Sequence, residues 1–266
     1  MRLILASGSP RRAELLRAAG FEFDIVVADV DESVRAGELP SMYVRRLAAE
    51  KSAAVQSRRR DGTAKAVPYG QDGQAVPDGQ AVPDERAVPG LQAVSGGQTA
   101  PQAHAESATH THVGPRFSGA DSAAPIILGA DTTVVVDGEI LGKPRDDAEV
   151  AAMLRKLSGK RHNVLTGISL RQGAFEAGRV ETTEVVVREL SDDEVEWYVA
   201  SGEGRDKAGA YAIQGRAARF IPRIEGSYSN VVGLPIAAVA ELMRSLLASR
   251  LTTDYSGPGS LSRKSL

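Results

Sequence analysis

The chain has 266 residues, of which 42% are hydrophobic and 25% are charged, and this balance is typical of a soluble globular protein. It contains no cysteine, which excludes a disulfide framework, a thiolate metal site and a cysteine nucleophile. A net charge of −2 attracts neither nucleic acid nor an anionic membrane, and no apolar run reaches the roughly 20 residues of a membrane span, so we expect a cytoplasmic protein that binds neither.

The first elements in chain order are a strand, a loop and a helix. The apolar run 2–6 predicts a strand, and the turn-forming residues after it lead into Pro10, which is favoured in the first turn of a helix. Residues 21–28 predict a second strand, and Ser41 is expected to cap a second helix. The apolar stripe of that helix consists of Val44, Leu47, Ala48 and Val55.

A change of composition follows the second helix. From about residue 57 to 124 the sequence has one leucine, no isoleucine and two aromatic residues, which bury too little apolar surface to offset the entropy of ordering. The triplet Ala-Val-Pro recurs there every six residues, at Ala75, Ala81 and Ala87. We therefore predict a disordered low-complexity insertion at 57–124, and we expect the polar tail at 250–266 to be flexible.

The second half of the chain completes an α/β pattern. The predicted elements are strands at 126–136, 139–141, 164–170, 181–189 and around Phe220, and helices at 146–157, from the capping box of Ser191 and Glu194 to Gly202, and at 235–248. This order predicts a mixed sheet flanked by helices, in one domain spanning 1–249 that the insertion interrupts.

The loop between the first strand and helix is a candidate anion site. It reads Ser-Gly-Ser-Pro-Arg-Arg over residues 7–12, and a helix N-terminus presents free N–H groups and partial positive charge. Arg11 and Arg12 in the first turn are unfavourable to the helix dipole, which an external phosphate would explain. The alternative is an ordinary cap with solvent-facing arginines.

A second candidate is Asp131, the only charge in the run 126–136, because a buried carboxylate needs a cation, a metal or several donors. Lys51 lies on the apolar stripe of its helix and is expected to point inward, the alternatives being a snorkelling lysine and an aspartate bonded to a loop. Asp29, Asp31 and Glu32 add carboxylates at another strand end, where open α/β sheets place ligands. The sequence lacks a serine-triad pattern and a complete Walker loop, so these groups favour Mg²⁺-assisted attack of water on a phosphoryl group.

Seven blocks of sequence stand in a characteristic order: LASGSPRR at 5–12, DE at 31–32, EK at 50–51, GADT at 129–132, GKP at 142–144, DKAGAYAIQG at 206–215 and VVGLP at 231–235. Together they resemble the Maf (septum-formation) family of nucleoside triphosphate pyrophosphatases. The resemblance implies an α/β fold like that of the inosine triphosphate pyrophosphatases, with two lobes around a central cleft. It also implies a possible homodimer that hydrolyses a nucleoside triphosphate to the monophosphate and pyrophosphate with a divalent cation, Mg²⁺ or Mn²⁺.

The resemblance carries roles over to individual residues. It implies that Asp131 activates water and, with Glu32, binds the metal. The implied triphosphate contacts are Ser7, Arg11, Lys51, Lys143 and, more weakly, Lys207. The residues that match the dTTP/UTP branch are Arg12, Thr132 and Gln214. The amide of Gln214 offers one donor and one acceptor, which suit N3–H and O4 of uracil or thymine. The alternatives are a preference for a modified purine nucleotide and a nucleotide-binding regulator of cell division.

Overall fold

The computed structural model describes residues 2–62, 67–68, 112–113 and 124–254. The helices of the described chain are α1 Pro10–Ala18, α2 Pro40–Arg60, α3 Asp147–Leu157, α4 Asp192–Ala200, α5 Tyr228–Val232 and α6 Ile236–Asp254. The strands are β1 Leu3–Ala6, β2 Phe23–Ile25, β3 Val67–Pro68, β4 His112–Val113, β5 Ile126–Val136, β6 Glu139–Leu141, β7 Arg161–Gln172, β8 Phe175–Val186 and β9 Arg223–Glu225. Two 3₁₀ turns, Ala208–Ala210 and Arg216–Phe220, precede β9.

The described strands form one mixed sheet in the order β3-β2-β1-β5-β7-β8-β4, with β6 paired to β5 and β9 paired to β8. β1 runs parallel to β2 and to β5, and the other described pairs are antiparallel. The prediction of a mixed α/β sheet is therefore confirmed. β1 and β5 lie side by side, and Ala6 is paired with Gly129, which brings the residues after β1 level with the middle of β5.

Helices cover both faces of the sheet and form two lobes. In the first lobe, α1 and α6 pack on one face through residues such as Leu16 and Val239, and Val55 of α2 lies on the opposite face. A separate core in the second lobe joins α3 and α4 to the far halves of β5 and β7, with Leu157 and Tyr198 among its buried members. Because β5 and β7 are long enough to enter both lobes, the boundary between the lobes falls near the middle of β5.

Several element boundaries differ from the sequence predictions. α2 begins at Pro40 with Leu39 at the N-cap, not at Ser41, because proline is well suited to the first helical position. The strand predicted around Phe220 is wrong, since Phe220 ends a 3₁₀ turn and β9 begins at Arg223. Phe220 is apolar because its ring packs into the second core, 5.8 Å from the ring of Tyr198.

The low-complexity segment is described only at its ends and at two short strands. α2 continues to Arg60, three residues past the predicted start of the insertion at 57. The strands β3 and β4, both from within the segment, stand at opposite edges of the sheet path. The remainder of the predicted insertion lies outside the described residues. α6 extends to Asp254, so the predicted tail begins as helix, and its residues beyond 254 lie outside the described part. Among the described helices, none combines the length and apolar character needed to cross a bilayer.

One histidine is buried in the second lobe. His162 on β7 is 2% exposed, its Nε2 lies 2.8 Å from the hydroxyl of Tyr211, and its Nδ1 makes no hydrogen bond within the described chain. Burial lowers the pKa of His162 to about 4, because the charged imidazolium is poorly solvated there. The folded protein therefore holds this imidazole neutral over the whole range in which a histidine of the unfolded chain titrates.

We expect acid to destabilise the fold through His162. Between pH 6.5 and about 4 the unfolded chain binds a proton at this residue that the folded chain does not bind, so its contribution is fully present above pH 6.5 and is lost as the pH falls. The free energy of unfolding should fall by about 3 kcal/mol over this interval from His162 alone. Urea titrations between pH 4 and 8 measure how steeply the free energy of unfolding changes with pH. His162→Gln, which keeps a polar amide near the position of Nε2, should reduce this slope. Equal slopes for both proteins would contradict the assignment.

Candidate active site

Asp131 and Thr132 are consecutive residues of β5 and therefore face opposite sides of the sheet. Asp131 faces α2, where it meets Lys51. Thr132 faces α1, where its hydroxyl oxygen accepts a hydrogen bond from Arg12 at 3.0 Å. The alternation of one strand thus places a carboxylate beside one helix and a hydroxyl beside another.

A lysine joins two carboxylates at the centre of the site. Lys51 Nζ lies 2.7 Å from Asp131 Oδ1 and 2.6 Å from Glu32 Oε1. Lys51 and Asp131 are each 7% exposed, as the sequence predicted from their positions on apolar surfaces. Burial opposes the ionisation of Glu32, but the hydrogen bond and charge of Lys51 outweigh it and hold the pKa of this carboxyl below its usual value. Asp131 Oδ2 makes no hydrogen bond with the described residues.

Glycines in the sheet allow α2 to approach closely enough for this ion pair. A Cβ at Gly129 would lie 2.1 Å from the carbonyl oxygen of Ala48, and Gly167 on β7 meets α2 in the same way at 2.2 Å. Only glycine permits such an approach of one backbone to another. Gly129 stands two residues before Asp131, and Ala48 three before Lys51, so this contact sets the separation of the paired charges.

α2 also holds the loop that carries Glu32. The hydroxyl of Tyr43 donates to the backbone oxygen of Glu32 at 2.9 Å. Arg46 makes a two-point contact with Glu38, from Nε to Oε1 at 2.6 Å and from Nη2 to Oε2 at 2.7 Å, and donates to the backbone oxygen of Ser33 at 3.0 Å. The hydrogen bonds from Arg46 lower the pKa of Glu38 to about 2. One helix therefore positions both Lys51 and its exposed carboxylate partner.

Arg12 connects α1 to β5 and to the turn before α6. Its Nε donates to the backbone oxygen of Gly233 at 2.8 Å, and its Nη1 donates to Ser7 Oγ at 3.1 Å and to the backbone oxygen of Ala130 at 3.0 Å. Its Nη2 bonds Thr132. Burial lowers the pKa of Arg12, although Asp131 opposes the shift. The sequence suggested an arginine fork for an external anion, whereas four hydrogen bonds of Arg12 are made to the protein, and its nucleotide contact stays a prediction.

Three more cations line the site, and two of them pair with Asp206. Arg11 Nη1 lies 3.2 Å from Asp206 Oδ2, and Lys207 Nζ lies 2.5 Å from Asp206 Oδ1. Lys143 and Gln214 are exposed, and neither makes a hydrogen bond with the described residues. The side chains of Lys143 and Gln214 can therefore reorient toward a ligand at small cost, whereas Lys207 also donates to the backbone oxygen of Glu203.

One cavity of about 640 Å³ lies between the lobes. The sequence-predicted residues that it brings together are Ser7, Arg11, Arg12, Glu32, Lys51, Asp131, Thr132, Lys143, Lys207 and Gln214. Among its described lining residues are five cationic side chains and three carboxylates, so the cavity is locally positive although the chain is negative overall. The N-terminus of α1 opens into it and adds the partial positive charge of a helix end. The arrangement suits a polyanion.

The two central carboxylates fit one class of metal site. Within the described residues, no group of three or more His, Cys, Asp or Glu side chains is arranged as a metal cage. Magnesium, however, is commonly held by one or two carboxylates together with substrate phosphates. Glu32 and Asp131 already share one cation, the ammonium of Lys51, and they supply the oxygen ligands such a site needs.

Tyr43 is a site residue that the sequence analysis missed. It lines the cavity and holds the backbone of Glu32, and burial, with the charges of Asp131 and Glu32, raises its pKa to about 12. A signal was available, because Tyr43, Leu47 and Lys51 follow one another at intervals of four and so share one helix face.

Comparisons with known proteins identify the family of this chain. The family model described as "Maf-like protein" matches residues 2–246. The chain is 40% identical over 247 residues to a dTTP/UTP pyrophosphatase of Anaeromyxobacter dehalogenans (strain 2CP-C), with 91% of this chain and 93% of the relative covered. It is 41% identical over 245 residues to a dTTP/UTP pyrophosphatase of Hahella chejuensis, with 91% of each covered. A dTTP/UTP pyrophosphatase of Vibrio cholerae is 37% identical over 242 residues, which are 91% of this chain and 96% of the relative.

Proposed function

The chain belongs to the family of Maf-like proteins, and on this basis we propose that it is a nucleoside triphosphate pyrophosphatase that hydrolyses dTTP and UTP. Water attacks the α-phosphorus, the bond from that phosphorus to the oxygen bridging to the β-phosphate breaks, and the monophosphate and pyrophosphate leave. The observation that carries the proposal is the cavity itself, because a buried carboxylate, a helix N-terminus and five cationic side chains line the same space.

The triphosphate would be held by groups on two sides of the cavity. On one side are the N-terminus of α1 and the hydroxyl of Ser7, and on the other are Lys143 and Lys207. Among the described residues, the Arg11 side chain is bound to the exposed carboxylate of Asp206 alone, and it can exchange that partner for a phosphate. Backbone N–H groups and cations so placed favour a polyanion without covalent chemistry.

Asp131 is proposed as the group that takes the proton from the attacking water. Its Oδ2 is free within the described chain, while Oδ1 is fixed by Lys51, so the carboxylate has a defined orientation. A divalent cation, Mg²⁺ or Mn²⁺, held by Glu32, Asp131 and phosphate oxygens would neutralise charge on the leaving pyrophosphate. Lys51 lies between these carboxylates and would then be available to the phosphates.

Gln214 is proposed to read the base. It lies at the cavity wall, exposed and unbonded within the described chain, and its amide can offer one donor and one acceptor in a plane. That pattern complements N3–H and O4 of uracil and thymine, and a neutral amide does not repel the triphosphate. The homodimer and the cytoplasmic location expected from the sequence stay predictions.

The decisive test is a panel of nucleotides with Mg²⁺ or Mn²⁺. We expect kcat/KM for dTTP and UTP to exceed that for GTP by at least about tenfold, since a site that bonds the edge of one base leaves its polar groups unpaired with another. Chelation of the cation with EDTA should abolish pyrophosphate release, and excess Mg²⁺ should restore it. A preference for GTP or for a modified purine nucleotide would overturn the base assignment, and the absence of turnover with the whole panel would overturn the activity.

A further inference from the structure

Residues that do not line the cavity form hydrogen bonds with the backbone of the segment that carries Gln214. Gln214 lies within a turn that is closed by a 3.0 Å hydrogen bond from the Gly215 N–H to the backbone oxygen of Ala212, and the 3₁₀ turn that begins at Arg216 follows directly. Because the Gln214 side chain makes no hydrogen bond within the described residues, its position in the cavity depends on its backbone. Whatever fixes that backbone fixes the amide.

Glu203 accepts hydrogen bonds from the backbone at the C-terminal end of the segment that carries Gln214. The backbone N–H of Arg216 lies 2.9 Å from both carboxylate oxygens of Glu203, and that of Ala217 lies 3.4 Å from Oε1. The 3₁₀ turn has no side-chain cap of its own, so a carboxylate 13 residues earlier in the chain accepts hydrogen bonds from its first N–H groups. A Cβ on Gly215 would lie 2.4 Å from Glu203 Oε2, so the fit is tight.

The Tyr198 hydroxyl forms hydrogen bonds with the N-terminal end of the same segment and with Glu203. The hydroxyl of Tyr198, which is fully buried, donates to Glu203 Oε1 at 2.9 Å and accepts from the backbone N–H of Ala212 at 3.3 Å. Burial, followed by this bond to the carboxylate, raises the pKa of Tyr198 above its usual value, so that the hydroxyl stays a donor. One tyrosine and one carboxylate therefore hold both ends of the segment between Ala212 and Arg216.

The backbone of Glu203 also contacts Lys207, one of the proposed triphosphate contacts. Lys207 Nζ donates to the backbone oxygen of Glu203 at 2.6 Å. A change of the Glu203 side chain leaves that carbonyl in place, so its effect should fall on Gln214 more than on Lys207.

We propose that Glu203 is a positioning residue for base selection, which sets the preference for pyrimidine over purine nucleotides by fixing the backbone on either side of Gln214. It acts together with Tyr198 and touches no substrate. The proposal rests on the proposed function, because it assumes that Gln214 reads the base. A loosened segment withdraws the amide from the pyrimidine and leaves room for a larger ring, while the groups around Asp131 are unchanged.

The test is Glu203→Gln, assayed with UTP and GTP in the full chain with Mg²⁺. The substitution keeps the size of the side chain but removes its charge and one acceptor that faces the Arg216 N–H. We expect KM for UTP to rise about tenfold, kcat for UTP to change less than about twofold, and the ratio of kcat/KM for UTP over GTP to fall about tenfold. Gly215→Ala, which pushes a methyl group into the same contact, should change the ratio in the same direction.

Two controls separate positioning from stability. Glu196→Gln makes the same chemical change at an exposed position of α4 and should leave the ratio as in the wild type. Val185→Ala truncates a buried side chain of the second core and should lower the thermal midpoint without changing the ratio. If Glu203→Gln does not fold, Gly215→Ala alone decides.

The outcomes distinguish the inference from the function beneath it. If the wild-type protein hydrolyses neither UTP nor dTTP, both the proposed function and this inference are wrong. A wild-type protein that prefers UTP, with variants that keep the wild-type ratio or lose kcat equally for both nucleotides, overturns the inference alone.

Discussion

Asp131→Asn is expected to reduce kcat for UTP by at least about 10³-fold, because general-base catalysis contributes on that order and an amide cannot accept the proton. The substitution is nearly isosteric, and Lys51 keeps its second partner, Glu32, at 2.6 Å. Nucleotide binding should therefore survive. Turnover is measured as pyrophosphate release, and binding is measured calorimetrically with α,β-methylene-UTP, in which the bond to be broken is replaced by a stable one.

The matched control for this variant is Asp137→Asn, in the turn that directly follows the same strand. Asp137 is exposed and pairs with Lys160 at 2.6 Å, and its φ of 51° suits asparagine as well as aspartate. This variant should keep wild-type turnover. If Asp131→Asn retains more than a tenth of the wild-type kcat, Asp131 is not the base.

Gly129→Ala should produce the largest loss of stability of any substitution proposed for this chain. The added methyl group would lie 2.1 Å from the carbonyl oxygen of Ala48, and backbone atoms of a packed helix cannot rotate aside as a side chain can. We expect the free energy of unfolding to fall by about 3 kcal/mol or more, as for other overpacked buried sites. Because α2 carries Lys51, the same displacement should lengthen its contact with Asp131 and lower kcat in any protein that still folds.

Gly142→Ala provides the comparison for stability, since a Cβ there meets nothing within 4 Å. Urea titration of both variants measures their free energies of unfolding and so compares a methyl group added beside a helix backbone with one added in open space. Equal free energies of unfolding would show that α2 does not press on β5 as closely as the distances indicate.

The central part of the candidate site was predictable from local patterns. Asp131 was identified because it is the only charge in an apolar strand, and Lys51 because it falls on the apolar stripe of a helix. The loop before α1 was identified from its serines, proline and arginines. Each of these signals depends on a few neighbouring residues, and periodicity preserves them whatever the rest of the chain does.

The shorter elements were less predictable. Phe220 was assigned to a strand from its apolar character, which reflects burial against Tyr198 and not strand pairing. α5 spans five residues, too few for a periodic pattern to be recognised. Such segments take their conformation from the surfaces on which they pack.

The mixed α/β class, the inward direction of Lys51 and Asp131, and the concentration of hydroxyl and guanidinium groups at the start of α1 all follow from local sequence patterns. The partners of these groups become visible in the folded chain. Lys51 meets Asp131 across 80 residues, Arg12 meets Gly233 across 221, and the carboxylate of Glu203 meets the Arg216 N–H across 13. The direction of a side chain follows from the repeat of its own helix or strand, but its partner depends on sheet order and on how closely a helix can approach, and neither is encoded near the residue itself.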